Sequence, residues 1–209
     1  MHKNTYSPLR DKYPEQRIHI SYRDIINYTI TLSDNNTCDW LIDFVGGIKE
    51  VDSYMKSLGI QALNLTETED SMHKDIMRSY HNWSTPLSVA ELLKKIHTEN
   101  ILTNEHFRFL EKAMLDCLSG KDKLISGLPK EIPFGHKTGH SDTTGKGIKI
   151  SDADAGVIYM PDGEKCYIVV IIKDSKESDS DNAKIMKDIA RSVYGSLKQD
   201  FIIVPERTR

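Results

Sequence analysis

The chain has 209 residues, with 28 Lys or Arg against 31 Asp or Glu and a net charge of −3. That length suits one domain with a core of its own and leaves little room for a second. Charge is spread evenly, which excludes a basic nucleic-acid face, and the longest apolar run, Tyr167 to Ile172, is too short to span a membrane.

Cys38, Cys117 and Cys166 are odd in number, widely spaced and set in apolar patterns. They read as free core thiols and not as a disulfide framework or a zinc site. Met1 to Arg10 has no apolar stretch of the kind an export signal needs, so the chain as it stands is expected in the cytoplasm. Residues 1–19 are polar, and Pro8 and Pro14 argue against helix there; Tyr6 is a lone aromatic, either a loop residue or the rim of a site.

Ser21 and Asp24 form a capping pattern that opens a helix to about Leu32, with Tyr22, Ile25, Ile26, Thr29 and Leu32 at helical spacing. Ser33-Asp34-Asn35 interrupts it. A second helix is predicted from Thr37 to Val45, stopped by Gly46-Gly47. A third turns Val51, Tyr54, Met55 and Leu58 inward and ends at Gly59. Residues 60–83 form a polar, weakly periodic stretch that is long for a loop and so expected to be functional. Ser84-Thr85-Pro86 starts a helix to about Thr98, and Thr103 caps another with Phe107, Leu110, Met114 and Leu118 on one face, closing at Gly120.

Beyond Gly120 the pattern turns to β, with strands at 134–138, 155–160 and 165–173, the last two joined at Pro161-Asp162-Gly163. A final helix starts near Ser180, with Ile185, Ile189, Val193 and Leu197 as its inner face. This succession predicts a single α+β domain over 1–209. Residues 1–120 form its mainly helical part, with the long loop at 60–83. Residues 121–209 form an antiparallel sheet with a C-terminal helix.

The first of these strands carries Lys137-Thr138-Gly139. A lysine on an apolar strand, followed by a hydroxyl and a glycine, suits an anionic ligand lying along the strand edge. The ammonium supplies charge, the hydroxyl a hydrogen bond, and the glycine a close approach to the backbone. With Ser33-Asp34-Asn35 far upstream and Glu69 between, the order resembles the class A serine β-lactamases and their penicillin-binding relatives, whose motifs run S-x-x-K, S-D-N, K-T-G. A second Ser-Asp-Asn, at Ser180, reads as a helix cap.

The resemblance implies a β-lactamase/transpeptidase-like fold and a set of roles. Ser33 relays a proton to the leaving β-lactam nitrogen, and Asn35 holds the substrate's side-chain amide. Lys137 lies beside that serine and favours the substrate carboxylate, with Thr138 as hydrogen-bonding partner and Gly139 completing the motif. His140 gives a backbone N–H to the oxyanion hole. Glu69, on the omega loop, activates the water that releases the acyl group, with Glu67 as its rival. His73 stands where an asparagine usually helps to hold that water. Lys123 replaces an arginine that helps to bind the carboxylate and loses its planar fork. No metal or cofactor is implied; His136 and His140 lack a third ligand for zinc.

The S-x-x-K serine, the nucleophile, is expected well before Ser33. Only two matches occur, at Ser53 and Ser71, no more than chance supplies and both after Ser33. The resemblance therefore covers nearly the whole chain but only the last two-thirds of a complete enzyme. The N-terminal strands, the first helix and the buried helix with the acylating serine are absent, and the sequence predicts no turnover alone. A hydroxyl in the cradle beside an amine able to deprotonate it would overturn that expectation. Ile25, Ile26, Leu110 and Ile189 should be partly uncovered. The expected ligands are β-lactams, with a separate N-terminal segment as a partner. The family is periplasmic or secreted. Two rivals stand beside this reading: a non-catalytic remnant that binds β-lactams or peptidoglycan peptides, and a penicillin-binding transpeptidase relative, which Glu69 disfavours.

Overall fold

A computed structural model describes residues 5–14 and 17–200. The helical part contains α1 (Pro8–Lys12), α2 (Tyr22–Leu32), α3 (Asn35–Phe44) and α4 (Ile48–Ser57). After the long loop come α6 (Pro86–Thr98) and α7 (Asn104–Leu115); the loop itself holds α5 (Glu69–Lys74). Strands β1 (Leu63–Asn64) and β2 (Trp83–Ser84) pair antiparallel and pinch the loop shut at its neck. The sheet follows as β3 (Phe134–His140), β4 (Lys149–Tyr159) and β5 (Lys165–Ser175), antiparallel in that order, and α8 (Asp179–Asp200) closes the fold. Among the described residues no helix is long and apolar enough to cross a membrane.

Strand alternation sends side chains to two different layers. Phe134, Ile158 and Ile168 face Met186, Ala190 and Tyr194 of α8 and the 3₁₀ turn Leu124–Gly127. Val157, with Ala155 and Val169, faces Leu93 of α6 and Met114 of α7. At Gly127 the helix comes so close that a Cβ would lie 2.1 Å from the Lys187 carbonyl oxygen, which requires glycine. Register places Lys137 opposite Ala155, on the face turned toward the helical part.

The helical part is held differently. The buried residues of α3 are Asn36, Thr37 and Asp39, and α4 buries none. At the start of α3 stands the Asp34 carboxylate, fully buried, which accepts from Ser7 Oγ (2.9 Å), Leu9 N (2.8 Å) and Thr37 N (3.0 Å). One side chain thus caps α3 and ties α1 to the turn before it.

Several expectations need correction. Pro8 does not prevent helix; it occupies the first turn of α1, where its missing N–H costs nothing, with Ser7 as N-cap. On α2 only Ile25 is buried, while Tyr22 lies outside against Trp40 and Phe44. Tyr54 is half exposed, and Leu118 lies beyond the end of α7 and is exposed. On α8 the expected inner face holds only in part: Val193 and Leu197 pack against the core, but Met186, Ala190 and Tyr194 are the buried residues, and Ile185 (44%) and Ile189 (37%) are exposed. The small Ala190 permits the close approach at Gly127 that Ile189 would block. Of the four apolar positions expected to be partly uncovered, Ile26 and Leu110 are half-buried and Ile189 is exposed, and only Ile25 is covered. Of the cysteines all three are free, but only Cys117 is buried. The hydroxyl at the start of α8 belongs to Ser178, which accepts from Asp181 N (3.1 Å), and Asn182 is buried against Ser175.

The buried carboxylate supports a direct prediction. Asp34→Ala strands the Ser7, Leu9 and Thr37 donors and should lower stability by roughly 2–4 kcal/mol. Urea unfolding checks this, and a loss too small to measure would contradict it.

Candidate active site

The site lies where the turn between α2 and α3 meets the outer end of β3. Ser33 ends α2 in the left-handed region (φ 55°, ψ 42°), uncommon for a side chain other than glycine. The Asp34 anchor holds it there. From the opposite side the Lys137 ammonium donates to Ser33 Oγ and to the Thr138 carbonyl oxygen (2.7 Å). Asn35 follows at the start of α3, its amide donating to Thr5 Oγ1 (2.7 Å) and its N–H to the Tyr6 carbonyl (3.1 Å). Tyr6 is exposed at the rim.

These residues enclose a cavity of about 280 Å³ whose walls include Ser33, Asn35, Glu69, Lys137, Thr138 and His140. Ser119 forms part of the wall and lies 2.7 Å from Thr138 Oγ1. A second cavity of about 420 Å³ continues past Glu69 to His73, His140 and Asp142. His73 Nδ1 is 3.3 Å from Asp142 there.

Glu69 owes its place to the Asp39 carboxylate, which accepts from Glu69 N (2.8 Å) and Asp70 N (2.9 Å) and so seats α5 on α3. Asn82 closes the loop from the other side, accepting from Thr66 N and Glu67 N. Burial pushes the Glu69 carboxyl above its usual range, with Asp39 adding to the shift and Lys137 opposing it. Burial likewise lowers the Lys137 ammonium, against the pull of Cys117, Cys38 and Glu69. Cys38, beside them, is pushed up to about 12 by burial first and by Glu69 next. A raised carboxyl and a lowered amine facing one cavity is the pattern that proton transfer requires.

Glu67 is placed otherwise. His81 (2.8 Å), Ser71 (2.7 Å) and Arg78 (3.2 Å) all engage it, and their hydrogen bonds, His81 first, bring it down to about 2. It is a structural anion inside the loop.

Lys123 also departs from expectation. Its side chain is buried (8% exposed) and its ammonium donates to the buried Asp152 carboxylate, away from the cavity walls. His140 and Lys123 hold Asp152 below its usual value even though burial works the other way. His140, Asp152 and Asp179 stand close enough to share a metal ion, but Lys123 and Lys149 engage the two carboxylates.

Neither S-x-x-K match enters the cleft. Ser53 lies on α4, and Ser71 donates to Glu67 within the loop. The hydroxyl beside an amine in the cavity is Ser33, against Lys137, and this is the arrangement named above as able to overturn the expectation of no turnover. Ser119 and Asp39 were not singled out by sequence reasoning. Each acts through a tertiary contact, and no local motif marks either of them.

Comparison with known proteins identifies the family and the fold. The model of the beta-lactamase enzyme family matches residues 5–197. A beta-lactamase of Bacteroides uniformis is 44% identical over 199 residues, covering 95% of this chain and 67% of that protein. Beta-lactamase VEB-1 of Pseudomonas aeruginosa is 33% identical over 192 residues, covering 91% and 64%. The chain thus spans about two-thirds of the length of these relatives. Among solved structures, a class A beta-lactamase from Bacteroides cellulosilyticus superposes with a TM-score of 0.92 at 48% identity, covering 95% of this chain and 72% of that one.

Separation of the two glutamates is testable by stability. Glu67 has its folded pKa lowered from 4.5 to about 2, so its contribution is present above 4.5 and lost as pH falls through 2. Glu67→Gln should therefore melt below the parent at neutral pH, with the gap closing in acid. Glu69→Gln, which removes a carboxylate disfavoured by burial, should show no such gap.

Proposed function

The chain belongs to the beta-lactamase enzyme family, as a class A serine β-lactamase, and on that premise we propose that its cleft binds a β-lactam and performs every step of hydrolysis except the initial attack. The observation that carries this reading is the Ser33 hydroxyl under the Lys137 ammonium, with Thr138 beside it and Glu69 across the same cavity.

Lys137 and Thr138 take the substrate carboxylate, Gly139 leaves the strand edge open to it, and Asn35 and His140 line the acyl side. Ser33, polarised by Lys137, passes a proton to the departing ring nitrogen. Glu69, raised by burial, draws a proton from the water that releases the acyl group, with His73 at the far end of that water's cavity. Lys123 acts from behind His140 through Asp152 and does not touch the carboxylate.

The nucleophile is proposed to come from a helix not formed by the described residues. A groove of about 760 Å³ is lined by Lys137, Thr138 and Gly139 and by the apolar Leu93, Met114, Ala155, Val169 and Ile171. Its apolar lining suits a helix, and it shares Lys137, Thr138 and Gly139 with the cavity. Lacking a nucleophile costs about a millionfold in kcat. The 209 residues alone are therefore proposed to turn over no β-lactam, and in the family's secreted or periplasmic setting activity requires that helix.

One observation favours a second reading. Lys137 has its proton affinity reduced by burial and touches a serine, the arrangement that activates a nucleophile in other hydrolases. In that case Ser33 itself would be acylated.

Incubation with a chromogenic cephalosporin, followed by mass spectrometry, separates the two. The first reading predicts no burst and no adduct from the 209 residues. It also predicts turnover once the chain is extended with an S-x-x-K helix, and an acyl-enzyme that accumulates on that serine in the extended chain carrying Glu69→Gln. An adduct on Ser33 would establish the second reading.

A further inference from the structure

Beneath β3, on the side away from Lys137, lies a buried row of groups that the hydrolytic scheme does not use. Asp154 and His136, both fully buried, are joined through His136 Nδ1 at 2.8 Å. Asp154 also accepts from Leu124 N (3.2 Å). His136 Nε2 makes no hydrogen bond of good geometry, and the group beside it is the fully buried Cys117 thiol. Cys117 Sγ is 3.3 Å from Ser119 Oγ, and Ser119 Oγ is 2.7 Å from Thr138 Oγ1 at the cavity wall. A continuous chain of contacts therefore runs from a buried acid to the hydroxyl assigned to the substrate carboxylate.

We propose that this chain is a hydrogen-bond relay in which the ionisation of Cys117 decides, through Ser119, whether Thr138 can donate to an anion in the cleft. Each hydroxyl has one proton to give. With Cys117 ionised, Ser119 donates to the sulfur, and the short Ser119–Thr138 contact is closed by the Thr138 proton. Thr138 then shows the cavity only lone pairs. With Cys117 protonated, its weak S–H can turn to the Ile30 or Ser119 carbonyl, at 3.8 and 3.9 Å. Ser119 then gives its proton to Thr138, whose own proton is free for the ligand. Anion binding at Thr138 is thereby coupled to uptake of one proton at Cys117, 21 positions away in sequence.

The surroundings place this switch near neutrality. Burial alone would raise the thiol, but the His136 imidazole beside it and the Ser119 hydroxyl bring Cys117 down to about 7. His136 is raised to about 9 by Asp154 and Cys117 despite its burial. The charged groups that act on Cys117 are His136, beside it, and Lys137, across β3, while Asp154 of β4 acts through His136; α2 contributes the Ile30 carbonyl. Cys38, at about 12, does not ionise in the same range, and burial raises Cys166 as well.

This inference rests on the carboxylate-binding reading of the cleft, and the experiment keeps the two apart. Thiolate absorbance in the ultraviolet and the methyl NMR signal of Thr138 are followed against pH in the 209-residue chain, in Cys117→Ser and in Ser119→Ala. The relay predicts that the parent's Thr138 signal titrates together with the thiolate. Cys117→Ser should lose both transitions, and Ser119→Ala should keep the thiolate transition while Thr138 no longer follows it. Benzylpenicillin affinity, measured by calorimetry, should fall roughly tenfold between about pH 6 and about pH 8 in the parent and much less in Cys117→Ser. A Thr138 signal that ignores the thiolate, or one that follows it equally in Ser119→Ala, overturns the relay. So does an unchanged pH profile of binding in Cys117→Ser. If benzylpenicillin binds none of the proteins at any pH, the carboxylate reading fails, and the relay is decided by the Thr138 signal alone.

Discussion

Lys137 and Ser33 stand 104 positions apart, and the contact between them is where the sheet meets the helical part at the site. Its demands explain much of the surrounding structure. A lysine ammonium largely removed from water needs acceptors and nearby negative charge, which Ser33, the Thr138 carbonyl and Glu69 supply. A serine whose hydroxyl meets that lysine must sit in a left-handed turn, and such a turn persists only where its neighbours over-determine it. Asp34 does so by satisfying α1, α3 and the turn with a single buried carboxylate.

The two parts of the molecule are stabilised by different means. Around the sheet, Phe134, Ile158, Met186 and Tyr194 form an ordinary apolar core. On the other side, Asp34 and Asp39 are buried acids that hold α1, the α2–α3 turn and the start of α5 through backbone N–H groups. A polar scaffold of this kind fixes direction more sharply than an apolar contact, because each acceptor must meet its donor at hydrogen-bonding geometry. That suits a cleft in which Ser33, Glu69 and Lys137 must converge, and it leaves apolar surface uncovered at Tyr22, Trp40 and Phe44.

The motifs on β3 and at the α2–α3 turn were legible in the sequence because their residues act where they stand in the chain. Glu69 came from the family resemblance, and the structure puts it on the wall of the same cavity. What escaped reading depends on partners distant in sequence. The buried face of α8 is set by the close approach at Gly127, which favours Ala190 over the larger Ile189. Lys123 looked like a cleft cation until Asp152 was seen to hold it. Ser119 and Asp39 belong to common residue types, and only their partners, Thr138 and the start of α5, give them a task. Helix α1 was missed because a proline argues against helix everywhere except in its first turn.

A cleft shaped for an anionic ring should hold one before any covalent chemistry occurs, and titration calorimetry with a β-lactam on the unmodified 209 residues measures this directly. The account predicts saturable binding that weakens as salt is added and is abolished by Lys137→Ala, with the intact mass of the protein unchanged throughout. Equal binding by Lys137→Ala, or none by the parent chain, would contradict it.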